Sequence, residues 1–138
     1  MKKVLIIFIL LFSTKIALAQ EKYSLTIKLE KTDSSEGKIY VGLYNSKADF
    51  LKTEYMSKIV SIKNGEATVM FEDLNGVYAV SAFYDANNNG KLDANFLGIP
   101  KEPTKMSNNA KGSFGPPKFE DAKFTINKDT IIQLTFNN

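Results

Sequence analysis

Along most of this chain apolar and polar residues alternate with a period of two. In 23–30, Tyr23, Leu25, Ile27 and Leu29 fall on one face and Ser24, Thr26, Lys28 and Glu30 on the other, the pattern of a half-buried strand. It returns in 38–44, where Ile39, Val41 and Leu43 lie together while Tyr40 and Tyr44 flank Gly42 on the opposite face. Runs at 57–63 and 66–72 are joined by Asn64-Gly65, a pair suited to the two positive-φ positions of a tight hairpin turn, and Ala67, Val69 and Phe71 then share a face. Tyr78, Val80, Ala82 and Tyr84 alternate next, and the chain closes on Ala122, Phe124 and Ile126, a turn at 127–129, and Ile132, Leu134 and Phe136. Helical apolar spacing is missing from every long stretch. The segment 45–55 reads as a connector, with Asn45 or Ser46 capping a short turn that plugs Phe50 into one end of the core. The expectation is an all-β domain: an immunoglobulin-like or transthyretin-like β-sandwich of about seven strands with one long structured loop. In the L-x-G-x-Y-x-V run of 74–80, Tyr78 is expected to form a tyrosine corner, its hydroxyl bonding backbone just upstream.

Two segments break the alternation. The first is the start of the chain, where Lys2 and Lys3 precede the apolar run 4–12 and Ala17-Leu18-Ala19 supplies small residues. The run is about half the roughly 20 residues that span a bilayer, so 1–19 reads as a cleaved secretory signal peptide and 20–138 as a single domain. Export to the periplasm or the extracellular space follows, with no membrane span after cleavage. The second is 85–121, far longer than the usual connection of about five residues. Its content of Leu92, Phe96, Leu97, Ile99, Met106, Phe114 and Phe119 argues against a disordered linker, and predicts a folded loop over one end of the sandwich with aromatics packed beneath it.

That insertion opens on "DANNNGKLD". Ca²⁺ takes six to eight hard oxygens, and Asp85, Asn87 and Asn89 match loop positions one, three and five of a calcium loop, with Gly90 at the sharp turn. The carbonyl of Lys91 and the side chain of Asp93 match positions seven and nine. Phe96 stands where the bidentate Glu belongs, so a further acid is needed: Glu102 first, with Asp121 and Asp73 as alternatives. A weak Ca²⁺ site is one expectation; a turn held by Asp and Asn side chains bonding their own backbone is the other. Further on, Ser107, Asn108 and Asn109 beside aromatics offer a shelf for a peptide or glycan ligand, or else hold the loop together.

Composition narrows the chemistry. Of 18 basic residues, Lys2, Lys3 and Lys15 leave with the signal peptide, so 15 remain against 15 acids and the mature chain is formally neutral. All the basic residues are Lys, which removes the Arg forks that read phosphate and bases, and no nucleic-acid partner is expected. With no His and no Cys, zinc sites, thiol nucleophiles and Ser-His-Asp triads cannot be built, and no disulfide staples the fold. The protein is therefore read as a monomeric, non-enzymatic binding or structural module. Two alternatives stand beside that: a glycan hydrolase pairing Asp93 or Glu102 with Asp121, and an envelope assembly component that pairs through the C-terminal strand, 130–136.

The motifs from "FEDLNGVYAVSAFYDANNNGKLDANFLGIPKE" to "SNNAKGSFGPPKFEDAKF" resemble, in order and over nearly all of the mature chain, the bacterial exported family domain of unknown function 2141. The resemblance implies an exported β-sandwich, and the family has no established activity to carry over. Lys105 and Met106 stand where such sequences often carry Gly and an aromatic.

Overall fold

The computed structural model describes residues 19–31, 33 and 36–137; the expected signal peptide, apart from Ala19, lies outside them. The chain is mostly β and forms two sheets. One has the order β4 (Glu66–Leu74), β1 (Tyr23–Lys31), β8 (Thr130–Phe136), with β1 antiparallel to β4 and parallel to β8. The other runs β3 (Met56–Ile62), β2 (Gly37–Tyr44), β5 (Gly76–Asp85), β6 (Thr104–Met106), and β7 (Phe124–Ile126) also pairs with β5.

The alternation decides which side chains meet. Leu25, Ile27 and Leu29 from β1, Ile39, Val41 and Leu43 from β2, Val69 and Phe71 from β4, Tyr78, Val80, Ala82 and Tyr84 from β5, and Leu134 and Phe136 from β8 form one buried cluster drawn from both sheets. Asn64 and Gly65 take the positive φ values expected, 52° and 77°. Their hairpin is short: Lys63 and Glu66 exchange backbone hydrogen bonds, after which β3 and β4 part into different sheets. Between β4 and β5 the chain crosses sheets again through Asn75, and Gly76 at φ 127° takes a conformation that a side chain would strain. Here the Tyr78 hydroxyl makes long contacts of 3.4 Å with the carbonyl and the N–H of Asn75, the geometry of the expected corner.

Three expectations are corrected. Among the described residues there are eight strands rather than about seven; the extra one, β6, is three residues long and too short to show a period. Ala122 lies in a one-turn helix, α1 (Phe119–Ala122), not in a strand. The insertion 85–121 does not lie over one end. It leaves β5 at Asp85, returns as β6 beside Ser81–Phe83, and reaches β7 beside Gly76–Tyr78 at the other end of the same strand. Strand β8 stands at the edge of its sheet, with all seven of its residues in register with β1 on one side and Leu134 and Phe136 in the core.

The return path builds a second small core on the outer face of the β5 sheet. Tyr44, Phe50, Ala79, Met106 and Ala122 are buried there, with Phe119 packed edge-on against Phe50. Ser46 accepts the Asp49 N–H, which shapes the turn that delivers Phe50. Ser107, in the single 3₁₀ turn Ser107–Asn109, is buried; its hydroxyl accepts the Val80 N–H (2.9 Å) and donates to the Ala122 carbonyl (2.6 Å). Asn108 donates to the carbonyls of Asp121 and Lys123. The Ser-Asn pair therefore satisfies backbone and locks α1 to β5.

Two outcomes are expected. Ser107→Ala removes both partners of buried backbone groups and should cost roughly 1–3 kcal/mol in denaturant unfolding. Burial raises the Tyr44 phenol above its ordinary value of 10.0; a hydrogen bond with Ser81 opposes this and the Glu54 carboxylate adds to it. The folded chain thus holds this proton longer than the unfolded one. Its contribution is complete below the ordinary phenol value and is lost as pH rises through the raised one. Above about pH 10, stability should fall more steeply for the native chain than for Tyr44→Phe in urea titrations at several pH values.

Candidate functional site

The head of the insertion folds around carboxylates. Asp85, the last residue of β5, is buried, and its two oxygens accept the N–H groups of Asn89 (3.2 Å) and Gly90 (2.8 Å). Gly90 has φ 76°, which lets the chain reverse there. Asn87 accepts the Asn89 N–H and Asn89 accepts the Lys91 N–H, so each amide oxygen closes a local turn. Both amide nitrogens donate to the same oxygen of Asp93, at 2.6 and 2.8 Å. Glu102 is buried as well, and its oxygens accept the N–H groups of Ala86 (3.0 Å) and Asp93 (3.1 Å).

The candidate residues are thus brought together. Asn87, Asn89 and Asp93 converge on one point, Asp85 backs the turn, and Glu102 reaches the loop from beyond it, clamping Ala86 to Asp93. Asp73, next to last in β4, pairs with Lys22. Asp121 belongs to the other end of β5: its neighbour Ala122 is tied through Ser107 to Val80, whereas Glu102 is tied to Ala86. The strand from Val80 to Ala86 spans roughly 20 Å at about 3.3 Å per residue.

The fit to a cation is partial. Asp85 and Asp93 supply carboxylate oxygen and Lys91 a backbone carbonyl, but the two amides point nitrogen toward Asp93, and both Glu102 oxygens already accept N–H groups. Turning each amide by half a rotation presents its oxygen instead, at the loss of the turns that those oxygens close on the Asn89 and Lys91 N–H groups. Among the described residues no three His, Cys, Asp or Glu side chains cluster as a metal-holding group.

Beyond Asp93 a miniature hairpin projects. Lys101 donates its N–H to the Asp93 carbonyl (2.8 Å), Ala94 bridges Pro100, and Asn95 donates to the Ile99 carbonyl (2.9 Å). The tip is closed by Asn95. Its carbonyl accepts the Gly98 N–H and its side-chain oxygen accepts those of Leu97 and Ile99. Phe96 is 95% exposed, Leu97 68% and Ile99 56%. Of the aromatics expected to pack beneath the later part of the insertion, Phe119 does so against Phe50, whereas Phe114 is 107% exposed. The hairpin carried a readable signal, Asn95 followed three residues later by Gly98 at φ 78°, which the spacing of calcium ligands masked.

A shallow depression beside this loop is lined by Gly37, Lys38, Ser61, Lys63 and Asn88. No helix among the described residues is long and apolar enough to cross a membrane.

Comparison with curated proteins gives no match. Among solved structures, the chain is similar over 84% of its length to a leucine-rich repeat protein from Bacteroides thetaiotaomicron VPI-5482, at 13% identity and a TM-score of 0.38. It spans 12% of that protein, and a likeness this low carries no argument. A family model described as an uncharacterized protein conserved in bacteria matches residues 27–133, so this chain belongs to the family domain of unknown function 2141.

Proposed function

We propose that this is an exported binding module without catalytic activity: an immunoglobulin-like or transthyretin-like sandwich that presents the 93–101 hairpin as its contact surface. The observation that carries the reading is the exposed tip Phe96, Leu97 and Ile99 on a turn whose backbone is tied internally. Apolar side chains this exposed stabilise nothing within their own fold, and contiguous exposed apolar groups mark contact sites. Glycan hydrolysis by Asp93 or Glu102 with Asp121 draws no support from their attachment points, Ala86 and Val80, which lie roughly 20 Å apart along the chain, since paired catalytic carboxylates stand about 5–9.5 Å apart. Pairing through β8 has in its favour only that the strand stands at the edge of the order β4-β1-β8.

A second reading concerns the head of the loop. The convergence of Asn87, Asn89 and Asp93 favours weak Ca²⁺ binding, with Asp85 and the Lys91 carbonyl completing the set and Glu102 supporting it through Asp93.

Each reading has its own test. Phe96→Ser combined with Leu97→Ser should leave urea unfolding within about 0.5 kcal/mol of the native chain, as for surface positions. A loss of 2 kcal/mol or more would make the tip a packing element and remove the contact reading. Millimolar Ca²⁺ at ten times its dissociation constant should stabilise the chain by about 1.4 kcal/mol, a rise of a few degrees in Tm relative to EDTA, and Asp85→Ala should abolish the difference. Superimposable melts contradict calcium binding.

A further inference from the structure

We infer that the 93–101 hairpin docks on the surface of an anionic lipid bilayer, inserting its Phe96–Ile99 tip into the interface. This rests on reading the hairpin as the contact surface, and it names the partner.

Three features select lipid. The first is chemical. From Phe96 to Pro100 every side chain is apolar, and Phe96 at 95% exposure stands clear of the fold. A projecting apolar point requires a matching pocket in a protein partner, whereas a bilayer deforms around it. The second is the backbone. Entry into an apolar medium is costly wherever N–H groups lose water without replacement. Here four of the five N–H groups from Asn95 to Ile99, all but that of Phe96, are bonded within the turn, and Pro100 has none to satisfy.

The third feature is charge. Of the carboxylates at the base of the hairpin, Asp85 and Glu102 are buried on backbone N–H groups, and the half-buried Asp93 is capped on one oxygen by two amides. Lys91 and Lys101, on either side of the hairpin, are exposed. An apolar tip between exposed lysines, with two of its three acids buried, complements a negatively charged headgroup layer, where each Lys near the surface contributes to binding.

The chain has no Trp, so Phe96→Trp places a single fluorescent reporter at the tip, and Ile59→Trp places one at an exposed position of β3. With the chain from Gln20, vesicles of phosphatidylglycerol and phosphatidylcholine should shift the tip emission to the blue and leave the β3 reporter unchanged. Lys91→Gln with Lys101→Gln should weaken the tip response about tenfold or more. A tip emission unaffected by the vesicles, or an equal shift at both reporters, overturns the proposal. So does a tip shift that follows protein concentration alone, which assigns the surface to a second copy of the chain. Failure of the contact reading itself is distinguished by the urea unfolding of the Phe96→Ser, Leu97→Ser chain.

Discussion

The Glu102 carboxylate accepts two backbone N–H groups, those of Ala86 and Asp93, and the outer half of the molecule depends on that clamp. A long insertion leaves the sheet ladder with many N–H and C=O groups that need partners. This chain has no Cys to staple such a segment. Side chains do the work instead, each at a point where the backbone turns: Asp85 at Gly90, Glu102 across the neck, Asn95 at the tip, Ser107 and Asn108 at the return to β5. Buried carboxylates are costly unless they are hydrogen-bonded, and both of these are. The clamp also accounts for the electrostatics of the loop, since it withdraws negative charge from the surface that displays Lys91 and Lys101.

Strand β5 is the frame on which these pieces hang. Tyr78, Val80, Ala82 and Tyr84 face the main core, while Ala79 on its other side joins Tyr44, Phe50 and Met106 in the second one. Buried on its inner face, partly covered on its outer one and paired along both edges, it is a rigid base for a projecting hairpin. A contact surface on such a base loses little conformational freedom on binding, because its turn is already ordered by its own hydrogen bonds.

The alternation made β1, β2, β4, β5 and β8 legible, because one face of each meets the core and a period of two is unambiguous when it runs for seven residues or more. Asn64-Gly65 was equally plain, since both positions need a positive φ. What stayed hidden was non-local. That β3 and β4 part after one rung depends on which sheet each joins, and Ala122 leaves its strand because Ser107 takes its carbonyl from fifteen residues away. The candidate loop was half legible. Asp85, Asn87, Asn89, Asp93 and Glu102 do come together, but spacing reports only that oxygens are near one another. It does not report that Glu102 has spent both of its oxygens on N–H groups, nor that Phe96 and Leu97 point away from the fold.

The central claim is that Glu102 holds the neck of the insertion closed, and amide hydrogen exchange read residue by residue tests it most directly. In the native chain the amides of Ala86, Gly90 and Asp93 should be protected. In Glu102→Ala those of Ala86 and Asp93 should exchange rapidly, Gly90 should keep most of the protection that Asp85 gives it, and the β5 amides should be unchanged. Exchange at Ala86 and Asp93 in the native chain as fast as in an unfolded peptide would contradict the account, as would protection there that survives the loss of the carboxylate.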